Sequence, residues 1–365
     1  MTAISAAVIP APHQPIELRE FPEPVLEQDS ALLRVEYSEL CGTDLHLHHG
    51  RLAGVPYPLI PGHVTVGRIE KLRGAMRDVL GQPFAEGDRV TFLDVHRTCN
   101  ACWYCLVAKA STRCPQRKVY GITYGAADGL CGGWSQKVYL KPGTRCLRLD
   151  GVAPELFMAG GCALPTALHA VERANLRLGE TVLVLGSGPV GLSAVGFARL
   201  AGAGQVLCIG APDERLRVAT AMGADDVLNL SKLEFAARFQ WVAERTAGRG
   251  ADVTIEATGV PAAVVEAMRS TRDAGRVVVV GQYTDAGEVP FNPHADLNRK
   301  HLDVLGCWGS DFSHFYRGIE ILKTAAGRQM WSAVPMQHFG LGQLNEALAE
   351  LAAGRTIKAL VVPET

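Results

Sequence analysis

The sequence predicts an α/β protein: a doubly wound parallel sheet joined to a second, β-rich domain. Three observations carry this. From about Cys162 onward, short apolar strands alternate with helical stretches, the pattern of a parallel sheet covered on both faces. Before that point, β-like runs are split by Gly and Pro at regular turn signals. The length of 365 residues, at roughly 150 residues per domain, suggests two domains.

The elements follow in chain order. ALLRVEY, GDRVTFLDV and GGWSQKVYL are the early β-like runs. ALPTALHAVERANL reads as a helix, TVLVLG as a strand and PVGLSAVGFARLAG as the next helix. QVLCIG is a strand, ERLRVATAMGA a helix and DVLNL a strand. After a further helical stretch, ADVTIEATG, PAAVVEAMRSTR and GRVVVVG continue the alternation. The tail adds a helix, LNEALAELAAG, and a strand, IKALVVP.

Composition narrows the function classes. With 48% hydrophobic and 20% charged residues, the chain can fill a core, which excludes disorder as its main state. A net charge of -1, from 36 basic and 37 acidic side chains, leaves no electrostatic footprint for nucleic acid. No apolar run approaches the ~18 residues of a membrane span. The opening MTAISAAVIPAPHQPIEL lacks the basic and apolar regions of a secretory signal, so a cytoplasmic protein is expected. In a reducing compartment, ten cysteines point to metal rather than disulfides.

Four of them are clustered. CNACWYCLVAKASTRC holds Cys99, Cys102, Cys105 and Cys114. Two successive C-x-x-C steps and a closing thiolate suit a tetrahedral, structural Zn²⁺ with no open position. Cys131, Cys146, Cys208 and Cys307 have no partner motif and read as small apolar side chains.

The strand TVLVLG runs into Gly186, Gly188 and Gly191 at G-x-G-x-x-G spacing, with Pro189 and Val190 between the last two, and a helix follows. In this context the glycines permit a tight turn, backbone approach to a pyrophosphate and close helix–strand packing. The diphosphate would rest on the helix N-terminus. The acid expected about 20 residues on, which bonds a ribose hydroxyl, is missing: Gly210 stands there. Arg215 offers a partner for a 2′-phosphate or is a helix-surface charge, and NAD and NADP both stay open.

LCGTDLHLHHG supplies Cys41, Thr43, Asp44, His46, His48 and His49; PGHVTVG supplies His63; AGGCALPTALHA supplies Cys162. Cys41, His63 and Cys162 would make a three-ligand zinc site with one open position, with Asp44 orienting His63. Unconnected core thiols are the other reading of the same residues. His48 and His49 are expected as solvated loop residues.

Together these motifs resemble the zinc-dependent medium-chain alcohol dehydrogenase family, over essentially the whole chain and in the right order. Its C-G-T-D-x-H runs from Cys41 to His46, its GDRV from Gly87 to Val90, and its four-cysteine lobe is present with the last gap one residue longer. The resemblance implies a Rossmann dinucleotide-binding domain at residues 164–308. It implies a GroES-like catalytic domain at residues 1–163 and 309–365, with a zinc lobe at about 95–117. It makes Cys162 the third catalytic ligand, giving two zinc ions per chain. It also implies a proton relay starting at Thr43 and passing to His46, Thr166 against the nicotinamide and Lys358 near the pyrophosphate. Asp94, Val95 and Trp134 are placed near the substrate, with His96 close in sequence. One departure stands out. The family usually has Glu directly after the ligand His, held to assist ligand exchange at the zinc; here that residue is Val64.

The expected activity is hydride exchange between NAD(P) and an alcohol or carbonyl. Asp94 and His96 favour a polar secondary alcohol such as a polyol, sugar or amino alcohol. A zinc-free enoyl or quinone reductase of the same superfamily and a non-catalytic NAD(P)-binding zinc protein are the rivals. A homodimer or homotetramer is implied, with a small-molecule substrate and neither nucleic acid nor membrane as partner.

Overall fold

A computed structural model describes residues 3–363. The chain divides into two compact units. One holds the chain up to Cys162, Asp311–Lys323 and the chain from Pro335; the other holds Ala163–Ser310 and Thr324–Val334.

The second unit is a six-stranded sheet. Its order is Asp226–Asn229, Gln205–Gly210, Thr181–Leu185, Ala251–Glu256, Thr271–Val279, Asp303–Gly306, with every neighbouring pair parallel. In chain order the strands run third, second, first, fourth, fifth, sixth, the Rossmann arrangement. The strands Thr181–Leu185 and Gln205–Gly210 are almost wholly apolar and buried, as strands covered on both faces are, and Leu183, Leu185, Leu207, Ile209 and Val277 share one buried cluster. The fifth strand begins at Thr271, earlier than the GRVVVVG run suggests. Thr271 caps the preceding helix at its C-terminal end, and its hydroxyl lies 2.7 Å from both Ala267 O and Thr254 Oγ1.

The helix Pro189–Leu200 starts with Gly188 as its N-cap and Pro at the first turn, where a missing N–H costs nothing. Its buried face carries Gly196, against which Trp331 lies. Trp331 also packs at a tilt against Phe197, with ring centroids 4.8 Å apart. That packing ties the helix Ala325–Trp331 to the sheet unit, although the sequence reading counts it with the β-rich domain.

The first unit is built on a seven-stranded mixed sheet. Its hub is the long strand Ser30–Leu40, which pairs antiparallel with Thr65–Arg73, Lys137–Leu140 and Lys358–Val361. The end of this strand is enclosed on both edges. Ser38 pairs with Thr65 on one side and Val361 on the other, and Glu39 faces Leu360. One apolar cluster gathers around Trp134 and another around Phe92 and Tyr120. Among the described residues, no helix is long and apolar enough to cross a membrane.

Candidate metal and catalytic site

Three segments of the first unit bring Cys41, His63 and Cys162 together. Cys41 directly follows the hub strand and is the N-cap of the helix Gly42–His48. His63 follows the turn at Pro61 and Gly62. Gly62 has φ +87°, and a Cβ there would meet Ser38 Oγ at 2.5 Å and Trp134 Cδ1 at 2.7 Å. No larger residue fits the turn that presents His63. Cys162 follows the helix Pro154–Gly160.

One donor atom from each of the three lies within 4.8 Å of the others. Cys41 Sγ stands 4.0 Å from His63 Nε2, where tetrahedral zinc bonds imply about 3.6 Å. The Cys162 thiol holds Cys41 well below the usual thiol range against the effect of burial, and the same contact pushes Cys162 well above it. Burial disfavours a charged His63, yet the Cys41 thiolate raises it to about 10. A buried set of two sulfurs and an imidazole that trap protons among themselves fits a zinc ion, which takes thiolates and neutral imidazole and releases those protons.

The lobe is a separate set. Cys99, Cys102, Cys105 and Cys114 also have donor atoms within 4.8 Å of one another. Cys102 and Cys105 sulfurs are 3.6 Å apart, and those of Cys114 and Cys99 are 3.5 Å apart. Zinc–sulfur bonds of ~2.3 Å at tetrahedral angles would place sulfurs about 3.8 Å apart. Backbone N–H groups of Cys102 and Cys99 donate to Cys99 and Cys114 sulfurs, each at 3.3 Å. All ten cysteines are free of disulfides.

Thr43 and His46 are half-buried and three residues apart on one helix, so they share a face. Burial, then the nearby charge of Arg51, lowers the His46 pKa. Asp44 is fully buried, its charge and that of His63 act on each other, and it has a second part besides. Its Oδ2 accepts from the Cys41 backbone N–H at 2.8 Å, closing the helix start locally. Asp44 Oδ1 and His63 Nδ1 each have no hydrogen-bond partner among the described residues. His48 and His49 are half-buried rather than fully solvated; the His49 ring stacks on His13 at 5.6 Å.

The expected substrate residues separate. Asp94 and Val95 are half-buried, and the Asp94 carbonyl accepts from the Tyr120 N–H at 2.9 Å. Trp134 is fully buried and is a core residue, not a substrate contact. Its Nε1 donates to Glu39 O at 3.0 Å and its backbone N–H to Pro61 O at 3.1 Å, so it braces the turn that carries His63. Both ring nitrogens of His96 are engaged, with Tyr124 Oη at 2.5 Å and Pro142 O at 3.0 Å.

Lys358 is also corrected. It is 1% exposed, inside the β-rich unit, and pairs with the equally buried Glu39. Its ammonium is engaged by Glu39 and screened from solvent, which is not the exposed or free lysine the sequence suggests. Glu39 itself is missed by the sequence reading; its one signal is a charged residue in the otherwise strand-like run before Cys41.

In the sheet unit, Gly186 has φ +110°, and a Cβ on Gly191 would meet Gly186 O at 1.9 Å. Among the described residues, nothing beyond its two chain neighbours lies within 4 Å of a Cβ built on Gly188. A side chain at Gly210 would strike Ser187 Oγ at 2.3 Å. That hydroxyl is fixed by the Ala211 N–H and carbonyl, both at 3.0 Å, which explains the missing acid. Arg215 is half-buried, and burial lowers its pKa. Thr166 is half-buried on the helix Ala163–Arg173.

Comparison with known proteins agrees with this geometry. Residues 27–151 match the alcohol dehydrogenase GroES-like domain, and residues 189–324 match the zinc-binding dehydrogenase domain. The chain is 32% identical over 334 residues to 5-exo-hydroxycamphor dehydrogenase of Pseudomonas putida, covering 91% of each chain. It is 28% identical to erythritol/L-threitol dehydrogenase of Mycolicibacterium smegmatis, covering 99% of this chain and 98% of that one. A crystal structure of an alcohol dehydrogenase from Thermotoga maritima superposes with a TM-score of 0.92 at 31% identity, over 100% of both chains. With both domains, the order of motifs and the relatives in agreement, the chain is an NAD(P)-dependent alcohol dehydrogenase of the zinc-dependent medium-chain family.

Proposed function

We propose that this enzyme interconverts a secondary alcohol and its carbonyl at a buried zinc held by Cys41, His63 and Cys162, with a second zinc in the four-cysteine lobe. The convergence of three metal-binding side chains from three distant segments carries this reading. Zinc bound there supplies Lewis acidity toward the substrate oxygen, and the nicotinamide supplies the two-electron exchange.

The chain's own residues do the rest. The Thr43 hydroxyl donates and accepts at once, so it orients the substrate hydroxyl and passes its proton on. His46, on the same helix face, receives that proton and exchanges it with solvent; its lowered pKa keeps it neutral and able to accept. Asp44 fixes the start of the helix that bears both.

The Gly186–Gly191 turn, with Pro189 and Val190, is assigned to the cofactor diphosphate. The space around Gly188, which the protein does not itself require, supports this. Thr166 is assigned to the nicotinamide, and Gly210 and Arg215 to the adenosine ribose, where either NAD or NADP fits. Asp94 and the erythritol/L-threitol relative favour a polyol-like substrate; the hydroxycamphor relative favours a ring-borne hydroxyl. Ten free thiols favour a reducing cytoplasm, and a dimer or tetramer is the assembly the family suggests.

The test is zinc per chain after purification without chelator, followed by reduced-nicotinamide absorbance across polyols and cyclic alcohols with each cofactor. About two zinc ions and turnover are expected. Zinc in the lobe alone, with no turnover on the panel, sinks the reading.

A further inference from the structure

We propose that Glu39 is a positioning residue of the buried metal site, supplying from the adjacent strand the carboxylate that Val64 does not. The inference rests on the reading that Cys41, His63 and Cys162 hold zinc.

Position comes first. The Glu39 N–H donates to Val64 O at 3.0 Å, and the neighbouring pair Ser38 and Thr65 is in register. Glu39 is therefore bonded across the strand pair to the residue that follows His63. The Glu39 carboxylate does not join the three mutually close donors; it stands behind one of them. Its Oε2 accepts from the Cys162 backbone N–H at 2.7 Å, a bond that does not depend on the state of the sulfur, and its Oε1 accepts from the protonated Cys162 thiol at 3.4 Å. Lys358 holds the other side of the carboxylate. Glu39 and Leu360 are paired, so Lys358, two residues from Leu360, lies on the same face as Glu39.

The pair also has space kept for it. Gly161 has φ +51°, and a Cβ there would meet Glu39 Oε2 at 2.2 Å and Lys358 Nζ at 2.4 Å. A buried ion pair is a poor way to stabilise a sheet, since apolar residues of similar volume do as well or better. Here the strand is already bonded on both edges. What the carboxylate adds is a fixed orientation for Cys162. Its charge is balanced by Lys358, so two thiolates with a divalent ion leave the buried group neutral overall.

The test compares the full-length wild type with E39Q, E39Q/K358M and the exchange variant E39G/V64E. Two readouts are used besides turnover: zinc transfer to a chromogenic chelator, with the lobe zinc as internal control, and the thiolate-to-metal spectrum of the cobalt-substituted protein. E39Q is expected to weaken zinc at the buried site by about 10- to 100-fold, the usual loss for a partner of a ligand. It should shift the cobalt spectrum and leave the lobe unchanged, and E39G/V64E should recover most of the loss.

Unchanged zinc transfer and cobalt spectrum in folded E39Q overturn the proposal, even where the melting temperature falls, because that is the signature of a structural ion pair alone. If E39Q does not fold, E39Q/K358M decides by the same readouts, since it leaves no unpaired charge. An exchange variant as weak as E39Q overturns the substitution for Val64. A wild type with zinc only in the lobe fails earlier, and removes the metal reading together with this inference.

Discussion

The two cysteine sets of this enzyme are built in opposite ways. The lobe takes four sulfurs from one short stretch, Cys99 to Cys114, and its own backbone N–H groups support them. Around it Trp103, Leu106 and Val107 are exposed. The buried set takes three donors from Cys41, His63 and Cys162, each fixed by a strand end or a packed turn. A closed local set adds folding energy, whereas an open nonlocal set leaves a coordination position for chemistry. On the proposed reading, ligand number and ligand origin go together: a site that must stay open is held open by the fold.

The sharpest way to break the comparison is Cys162→Ala. The buried site should lose its zinc while the lobe keeps its own, so metal content falls by about one per chain. Turnover should fall about a thousandfold or more, the rate equivalent of the several kcal/mol a Lewis-acid metal supplies. Elemental analysis paired with turnover checks both halves. Loss of both zinc ions would show that the two sets are not independent.

Thr43→Val comes next. It touches only the helix that the buried set begins, and it removes a hydroxyl while keeping the shape of the side chain. Zinc content should stay at its wild-type value, and turnover should drop about a hundredfold, the lower end for a positioned proton-transfer group. Steady-state rates on the best alcohol of the panel are the measurement. A variant with unchanged turnover removes Thr43 from the reaction.

Cys102→Ser acts on the other side of the comparison. One lobe ligand is lost, and with it the folding energy of a structural zinc. Thermal melting should fall by several degrees, at roughly 2–4 °C per kcal/mol for a domain of this size, while turnover per folded molecule persists. A Cys102→Ser protein that melts like the wild type would show the lobe to be dispensable for stability.

The same contrast explains what the sequence makes legible. The lobe is readable from spacing alone, because its ligands are neighbours in the chain. The parallel sheet is readable because strands buried on both faces are apolar runs, as at Thr181–Leu185 and Gln205–Gly210. The buried set is readable from its residues only as one of two alternatives, between which family resemblance chooses, since nothing local links Cys41 to Cys162. Trp134 and Lys358 are misplaced by that resemblance for a physical reason. Their partners, Pro61 in the turn before His63 and Glu39 on the paired hub strand, are brought to them by the fold, and the burial that follows does not show in one sequence. Glu39 has no periodic signal at all, and a buried charge reveals itself only when its counter-ion is in view.

The gentlest test lies outside both sets. Gly191→Ala adds one methyl group where a Cβ would stand 1.9 Å from Gly186 O, at the start of the helix Pro189–Leu200. The turn must open, and overpacking of this kind costs ~1–3 kcal/mol. Opening spreads the backbone N–H groups assigned to the cofactor diphosphate, so cofactor affinity should fall about tenfold. Zinc content should not change, because neither cysteine set takes a ligand from this turn. Cofactor titration by nicotinamide fluorescence, alongside elemental analysis, separates the two effects. A Gly191→Ala protein that binds cofactor normally would mean the turn adjusts without cost. One that loses zinc would mean that the metal sites depend on the sheet unit as well as on the strands that carry their ligands.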